Sequence, residues 1–266
     1  MAWSILEGDC IDVMRTLPSE SVDAVVTSPP YAMQRKATYG GVPESEYPAW
    51  TVAWMAEARR LLKPDGSVVI NIRPHKVDGQ LSDYVLHTRL AVRAAGWLEL
   101  DELIWHKPDA MPTAPANRPR RAWEHLLWFG VHGRAWADPL AGGQPYKNTG
   151  KGQRGFVRGD VARRNDWQHA FGVGSAPLRD IARITNVVTL GKANHSGFDH
   201  PAPYPPALAE WVGKLVCPPG GTILDPFSGS ASTGVACIRN GWDYIGIEAM
   251  PEYAEMSRRR LEQTAA

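Results

Sequence analysis

Val22-Asp23-Ala24-Val25-Val26-Thr27-Ser28-Pro29-Pro30-Tyr31 decides the fold class. Its first five residues form a short, β-branched apolar run that reads as a buried strand. The strand must stop at Pro29 and Pro30, because neither proline can donate to a ladder. Ser28 and Pro29 each precede a proline and are pushed out of the helical region. The result is a stiff extended corner at the carboxyl end of a strand, where open α/β sheets place their sites. There the carbonyls of Ser28 and Pro29 point in fixed directions, Ser28 adds a hydroxyl, and Tyr31 adds a flat face with a polar tip. Acceptors beside a stacking platform suit a planar ring that carries an amino group. Taken alone, Thr27–Tyr31 reads equally well as a proline-rich strand-to-loop turn.

A partner stretch lies near the other end. Thr222-Ile223-Leu224-Asp225 is a second short strand. It runs into Pro226-Phe227-Ser228-Gly229-Ser230-Ala231-Ser232-Thr233-Gly234 and then a helical run over Val235–Ile238. A strand, a small-residue loop and a helix start make a nucleotide-type corner, where a ligand can approach the backbone and its N–H groups. Asp243-Tyr244-Ile245-Gly246-Ile247-Glu248 follows as a strand ending in a carboxylate, about 20 residues beyond the small-residue turn, the usual place for a ribose-diol acceptor. The loop has no Gly-Lys-Ser/Thr and is not Gly-x-Gly-x-x-Gly. A cofactor with a ribose but no phosphates fits it better than a dinucleotide or ATP; an ordinary Gly/Ser turn is the plain alternative.

Between these stretches the pattern alternates. Ser4–Asp9 reads as a strand whose Asp9 can cap a turn over Ile11–Leu17. Trp50, Ala53, Trp54, Ala58, Leu61 and Leu62 have helical spacing over 46–62, closed by Lys63-Pro64-Asp65-Gly66. Val68–Ile72 is a buried strand, and Leu81–Ala95 is a second amphipathic helix closed by Gly96. The order β, α, β, α argues a parallel sheet. Trp97–Trp105 and Trp123–Phe129 read as strands joined by a proline- and arginine-rich loop. Pro206–Val216 and Glu252–Glu262 read as helices, with Arg258-Arg259-Arg260 as a solvated end.

The two corner stretches together resemble one family, the amino-group DNA methyltransferases. Asp225-Pro226-Phe227-Ser228-Gly229-Ser230 is similar to their S-adenosylmethionine motif, and Thr27-Ser28-Pro29-Pro30-Tyr31 to their catalytic motif. The catalytic motif comes first here, as in the circularly permuted β group. Glu7-Gly8-Asp9-Cys10 resembles the segment whose acid contacts the adenine. His200-Pro201-Ala202-Pro203-Tyr204-Pro205 resembles the segment at the methionine end. Ala231 stands where the family usually has glycine. The resemblance covers most of the chain except roughly 130–195.

It implies an α/β, Rossmann-like S-adenosylmethionine-dependent methyltransferase fold: a mostly parallel sheet with one antiparallel strand, carried by the 97–129 hairpin. It implies catalytic roles for Ser28, Pro29, Pro30 and Tyr31. The cofactor would lie against Asp9, Cys10, Thr27, His200, Pro203, Tyr204, Asp225, Pro226, Phe227, Ser228, Gly229, Ser230 and Glu248. The catalytic and cofactor-binding domain would span 1–129 and 196–266, with 130–195 inserted for target recognition.

That insert is Gly-rich and weakly periodic. Ten bases, among them Lys151, Arg154, Arg158, Arg163 and Arg164, face four acids, an excess of six positive charges against +1 for the whole chain. Trp136, Tyr146, Phe156, Trp167 and Phe171 are interleaved. A basic, aromatic, irregular segment is the expected footprint of a nucleic-acid surface, or else a solvated loop region. Arg35 and Lys36, in a polar loop beside the corner, and Arg118, Arg120 and Arg121 are further candidates for phosphate contacts.

A base inside a duplex must be flipped out to reach such a corner. Its amino lone pair is delocalised into the ring. Hydrogen bonds from the amino group to the Ser28 hydroxyl and the Pro29 carbonyl localise that pair, while Tyr31 stacks on the ring. No strong base is needed, in keeping with the lack of a His or carboxylate inside the motif. Within the family the chain resembles, Ser-Pro-Pro-Tyr and the His-Pro-Ala-Pro-Tyr-Pro form accompany cytosine targets, so the resemblance implies cytosine N4 over adenine N6. Methylation of RNA or a protein amide, and non-catalytic nucleic-acid binding, are the other readings. The intact Ser28–Tyr31 with Glu248 speaks against the last, and the basic insert against a protein substrate.

The three cysteines, Cys10, Cys217 and Cys237, lack metal spacing, so a reduced, cytoplasmic protein without a bound metal is expected. The start lacks a signal-peptide pattern, and no apolar run is long enough to span a membrane. The partners expected are double-stranded DNA, a second copy of the chain and a cognate restriction enzyme.

Overall fold

A computed structural model describes residues 1–33, 41–109, 117–143, 183–191 and 204–266. The chain divides into two compact units, Met1–Asp138 with Thr185–Ala266, and Pro139–Ile184. In the second, Ile184 N donates to the Pro139 carbonyl at 2.8 Å, tying its ends together. Among the described residues, all the regular elements lie in the first unit.

Its sheet contains β1 (Trp3–Glu7), β2 (Val22–Thr27), β3 (Leu62–Ile72), β6 (Leu98–His106), β7 (Trp123–Gly130), β8 (Val187–Thr189), β9 (Thr222–Asp225) and β10 (Asp243–Glu248). A separate hairpin joins β4 (Lys76–Val77) and β5 (Gln80–Leu81). The order across the sheet is β1-β10-β9-β2-β3-β7-β6-β8. Every neighbouring pair is parallel except the two made by β7, which runs against β3 and β6. This is the mixed α/β sheet with one antiparallel strand expected from the sequence.

The helices are α1 (Cys10–Thr16), α2 (Tyr47–Leu61), α3 (Tyr84–Ala94), α4 (Pro206–Val216), α5 (Ser232–Asn240) and α6 (Pro251–Ala265). Helix α2 turns Trp54, Met55, Ala58 and Leu61 onto one face of the sheet, with Val25, Val68, Ile70 and Ile72 beneath them. Burying side chains of this size stabilises by roughly 1.5–3 kcal/mol each. Alternation along the strands sends Val26, Val69 and Leu126 to the other face, against Leu208 and Val212 of α4.

Three readings change. Helix α3 begins at Tyr84, not Leu81. Asp78 and Gly79 both have positive φ, +48° and +80°, the geometry of a two-residue hairpin turn, so Gln80 and Leu81 pair back on Lys76 and Val77. The 63–66 stretch does more than end α2: it is a bulged entry into β3, with Val22 opposite Leu62 and Ala24 opposite Ser67. Within 130–195, Val187–Thr189 is a strand parallel to β6, too short to show alternation in the sequence.

Among the described residues no helix is long and apolar enough to cross a membrane. None of them form a cluster of three or more His, Cys, Asp or Glu able to hold a metal.

Candidate active site

Strands β2 and β9 lie side by side, with Val25 opposite Leu224. From β9 the chain continues to β10 on one side, and from β2 to β3 on the other. Their loops therefore leave the sheet at a topological switch point, the usual crevice for a ligand in an open α/β sheet. One hydrogen bond joins them: Thr27 Oγ1 donates to Asp225 Oδ1 at 2.6 Å. Asp225 also accepts from Thr233 Oγ1 at 2.6 Å and Phe227 N at 3.1 Å, and the Tyr204 hydroxyl meets Thr233 Oγ1. Burial raises the Asp225 carboxyl above its ordinary value, and these hydrogen bonds oppose that shift.

The small-residue loop is tightly made. Gly229 has φ +53°, and its N–H donates to Glu248 Oε2 at 2.8 Å. Glu248 Oε1 accepts from Met250 N at 3.0 Å. Glu248 is 3% exposed, and burial raises its carboxyl above the usual range. Both oxygens take backbone N–H groups and keep acceptor capacity for a ligand. Ser228 Oγ bonds the Tyr244 hydroxyl at 2.9 Å, and the Phe227 ring lies 5.3 and 5.5 Å from those of Trp50 and Trp54. Several loop N–H groups are thus spent inside the protein rather than left for a ligand.

Helix α6 closes the back of this loop. Arg260 Nη1 donates to the Ser230 carbonyl at 2.7 Å and to Ser230 Oγ at 3.0 Å, and Ser257 Oγ donates to the Gly229 carbonyl at 2.5 Å. Arg258 reaches the Ile5 carbonyl at 3.3 Å. The arginine run at 258–260 is therefore not simply a solvated end; of the three, Arg259 keeps to its own helix, with Glu255. Ala231 has φ +54°, a left-handed conformation that glycine would adopt without the Cβ strain.

Asp9 caps α1, accepting from Ile11 N at 2.9 Å and Asp12 N at 3.3 Å. It sits just past the end of β1, whose Glu7 pairs with Glu248. Cys10 is buried and its thiol pushed up to about 12, chiefly by desolvation, so it is an inert thiol.

At the proline corner the structure adds what the motif lacked. Glu124, at the start of β7, is 4% exposed and accepts from Tyr31 Oη at 2.8 Å and Asn71 Nδ2 at 3.0 Å. Lys107 Nζ pairs with its other oxygen, and Arg73 Nε lies 3.6 Å away. Asn71 Nδ2 also reaches Tyr31 Oη at 3.2 Å and Ser28 Oγ at 3.5 Å. The corner is thus not free of carboxylates: one arrives from β7. Burial first, then Glu124, raises the Tyr31 phenol well above its ordinary value.

Arg118 donates to the Gly79 carbonyl at 2.8 Å, Arg121 bonds the Pro74 carbonyl, and Arg120 is exposed. Arg35, Lys36, Lys151, Arg154, Arg158, Arg163, Arg164, His200 and Pro203 lie outside the described residues.

A family model described as DNA methylase, of the N6/N4 methyltransferase type, matches residues 22–259. The chain is 28% identical over 295 residues to the type II methyltransferase M.XycI of Xanthomonas campestris pv. cyanopsidis, covering 97% of this chain and 87% of that protein. Its fold is similar to that of the PvuII DNA methyltransferase (cytosine-N4-specific), with TM-score 0.73 and 22% identity over 100% of this chain and 92% of that one. The M1.HpyAVI–SAM complex gives TM-score 0.61 and 21% identity, covering 97% and 100%. With the family model spanning nearly its whole length, the chain belongs to the N6/N4 DNA methylase family: it is a DNA amino-methyltransferase that uses S-adenosylmethionine.

Proposed function

We propose that the chain is a site-specific DNA methyltransferase of the circularly permuted β group that methylates N4 of a cytosine flipped out of double-stranded DNA. The observation that carries this reading is the Thr27–Asp225 hydrogen bond, which holds the Ser-Pro-Pro-Tyr corner against the Asp-Pro-Phe-Ser-Gly-Ser loop. Both motifs then border one crevice.

The donor set fits the cofactor. A buried carboxylate with spare acceptor sites, beside a glycine amide and without a phosphate-binding lysine, suits a ribose diol. Glu248 would take the two hydroxyls, and Asp9 and Cys10 would border the adenine. The 225–230 loop would line the middle, and His200, Pro203 and Tyr204 the methionine end. S-adenosylmethionine supplies a sulfonium methyl that is already activated, so alignment of the amine does most of the remaining work.

The chain's own residues provide that alignment. Ser28 Oγ and the Pro29 carbonyl accept hydrogen bonds from the amino group and localise the lone pair on nitrogen, Tyr31 stacks on the ring, and the methylated amine, cationic and therefore acidic, gives its extra proton to solvent. The serine hydroxyl both accepts from the exocyclic amine and donates to ring N3, which suits cytosine. The stated specificity of the PvuII enzyme favours the same base. The 130–195 segment would serve target recognition, its excess of basic residues supplying phosphate contacts together with Arg118, Arg120 and Arg121. A restriction enzyme of the same specificity would be its counterpart.

The reading is tested by offering cofactor labelled in the methyl group to duplex DNA, RNA and protein in parallel. Label is expected in duplex DNA. Label in RNA or protein alone would overturn the DNA assignment.

A further inference from the structure

Glu124 is a carboxylate that the amine-transfer chemistry above does not use, yet it sits within hydrogen-bond distance of the catalytic corner. Strand direction puts it there. Because β7 runs against β3, its first residues arrive at the edge where β2 and β3 end. Asn71 pairs with Leu126, so Glu124, two residues earlier, shares its face; Trp105 pairs with Glu124, so Lys107 lies on that face too.

The hydrogen bonds have a direction. The Asn71 amide faces three oxygens, Ser28 Oγ, Tyr31 Oη and Glu124 Oε2. Turned over, it would set its own oxygen against a carboxylate, so Glu124 fixes the amide and the amide donates toward Ser28. Tyr31 is also tied by its phenol to the same carboxylate oxygen. A bare ion pair with Lys107 would neutralise Glu124 without either contact; two neutral donors converge on the oxygen that faces the corner.

We propose that Glu124 is a positioning residue for amine transfer: its carboxylate holds the Tyr31 ring directly, and the Ser28 hydroxyl through Asn71, in the register the target base needs. The inference rests on the reading of Ser28–Tyr31 as the amine site. Misplacing a reacting group by an ångström costs on the order of a hundredfold in rate.

The test uses Glu124→Asp and Glu124→Gln in the full chain. Aspartate keeps the charge for Lys107 but withdraws the oxygen by a methylene, separating the ion pair from the positioning. Both variants are expected to bind S-adenosylmethionine with wild-type affinity by calorimetry and to lose roughly ten- to a hundredfold in kcat on duplex DNA. In a Tyr31→Phe background the Glu124→Gln loss should shrink, because one of its two contacts is already gone. Wild-type kcat in Glu124→Asp, full additivity in the double variant, or a loss confined to cofactor affinity would overturn the proposal.

A second readout does not depend on turnover. The difference in tyrosine absorbance between wild type and Tyr31→Phe isolates the Tyr31 phenol among eight tyrosines. Glu124→Gln should move that titration to lower pH, and no movement would remove the contact. If the wild type methylates no DNA, the amine-site reading fails while this titration still decides the Glu124–Tyr31 link.

Discussion

Thr27 Oγ1 and Asp225 Oδ1 are 2.6 Å apart across 198 residues of sequence. The bond is buried, and its acceptor carries a charge that burial disfavours. A charged hydrogen bond of this kind contributes about 1.5–3 kcal/mol. It fixes the distance between the corner that would hold the amine and the loop that would hold the methyl donor.

Glu248 sets the first expectation. Glu248→Ala should weaken S-adenosylmethionine binding by about 1.5–3 kcal/mol by calorimetry. The same carboxylate gives a pH dependence. Ionised, it only accepts; protonated, it loses an acceptor site. Because burial holds its pKa above the ordinary 4.5, affinity should fall, as pH is lowered, sooner than for an exposed glutamate. Glu248→Gln should flatten that limb. For the stability of the protein without cofactor the sign reverses. The folded state holds this proton more tightly than the unfolded one, so the group's contribution is largest below the unfolded pKa. It is lost as pH rises through the folded value.

Ala231 tests the departure from glycine. A left-handed conformation costs a residue with a Cβ roughly 1–2 kcal/mol, of which glycine's extra unfolded-state entropy takes back about half. Ala231→Gly should therefore stabilise by about 0.5–1 kcal/mol, seen as a rise of about 1–3 °C in Tm. A fall in Tm would mean that the methyl's packing outweighs its strain.

Arg260 and Arg259 make a matched pair. Arg260→Ala removes the donor to Ser230 O and Oγ and should cost about 1.5–3 kcal/mol in urea unfolding. Arg259, exposed and paired only locally, should change stability by less than about 0.5 kcal/mol. Equal small effects would return the whole run to the solvated end its composition suggested.

The contrast between these residues shows what could be read from sequence. Val22–Thr27 and Thr222–Asp225 were legible because strand propensity and its punctuation by proline or glycine are local. So was Glu248, placed by its spacing from the loop. Glu124 was not. Its arrival at the corner depends on β7 running antiparallel and on its register with β3 and β6, neither of which a linear pattern encodes. Arg260 was hidden for a related reason: one turn of α6 meets the small-residue loop after β9, and periodicity does not name the neighbour. At Ala231 the substitution was visible but its backbone angle was not, so its strain could not be read.

The most direct measurement is nucleoside analysis of DNA after reaction with methyl-labelled S-adenosylmethionine, by digestion and mass spectrometry. Label is expected in N4-methylcytosine, lowered when Ser28→Ala removes one acceptor. Label in N6-methyladenine alone would contradict the cytosine assignment and leave the fold and cofactor conclusions standing.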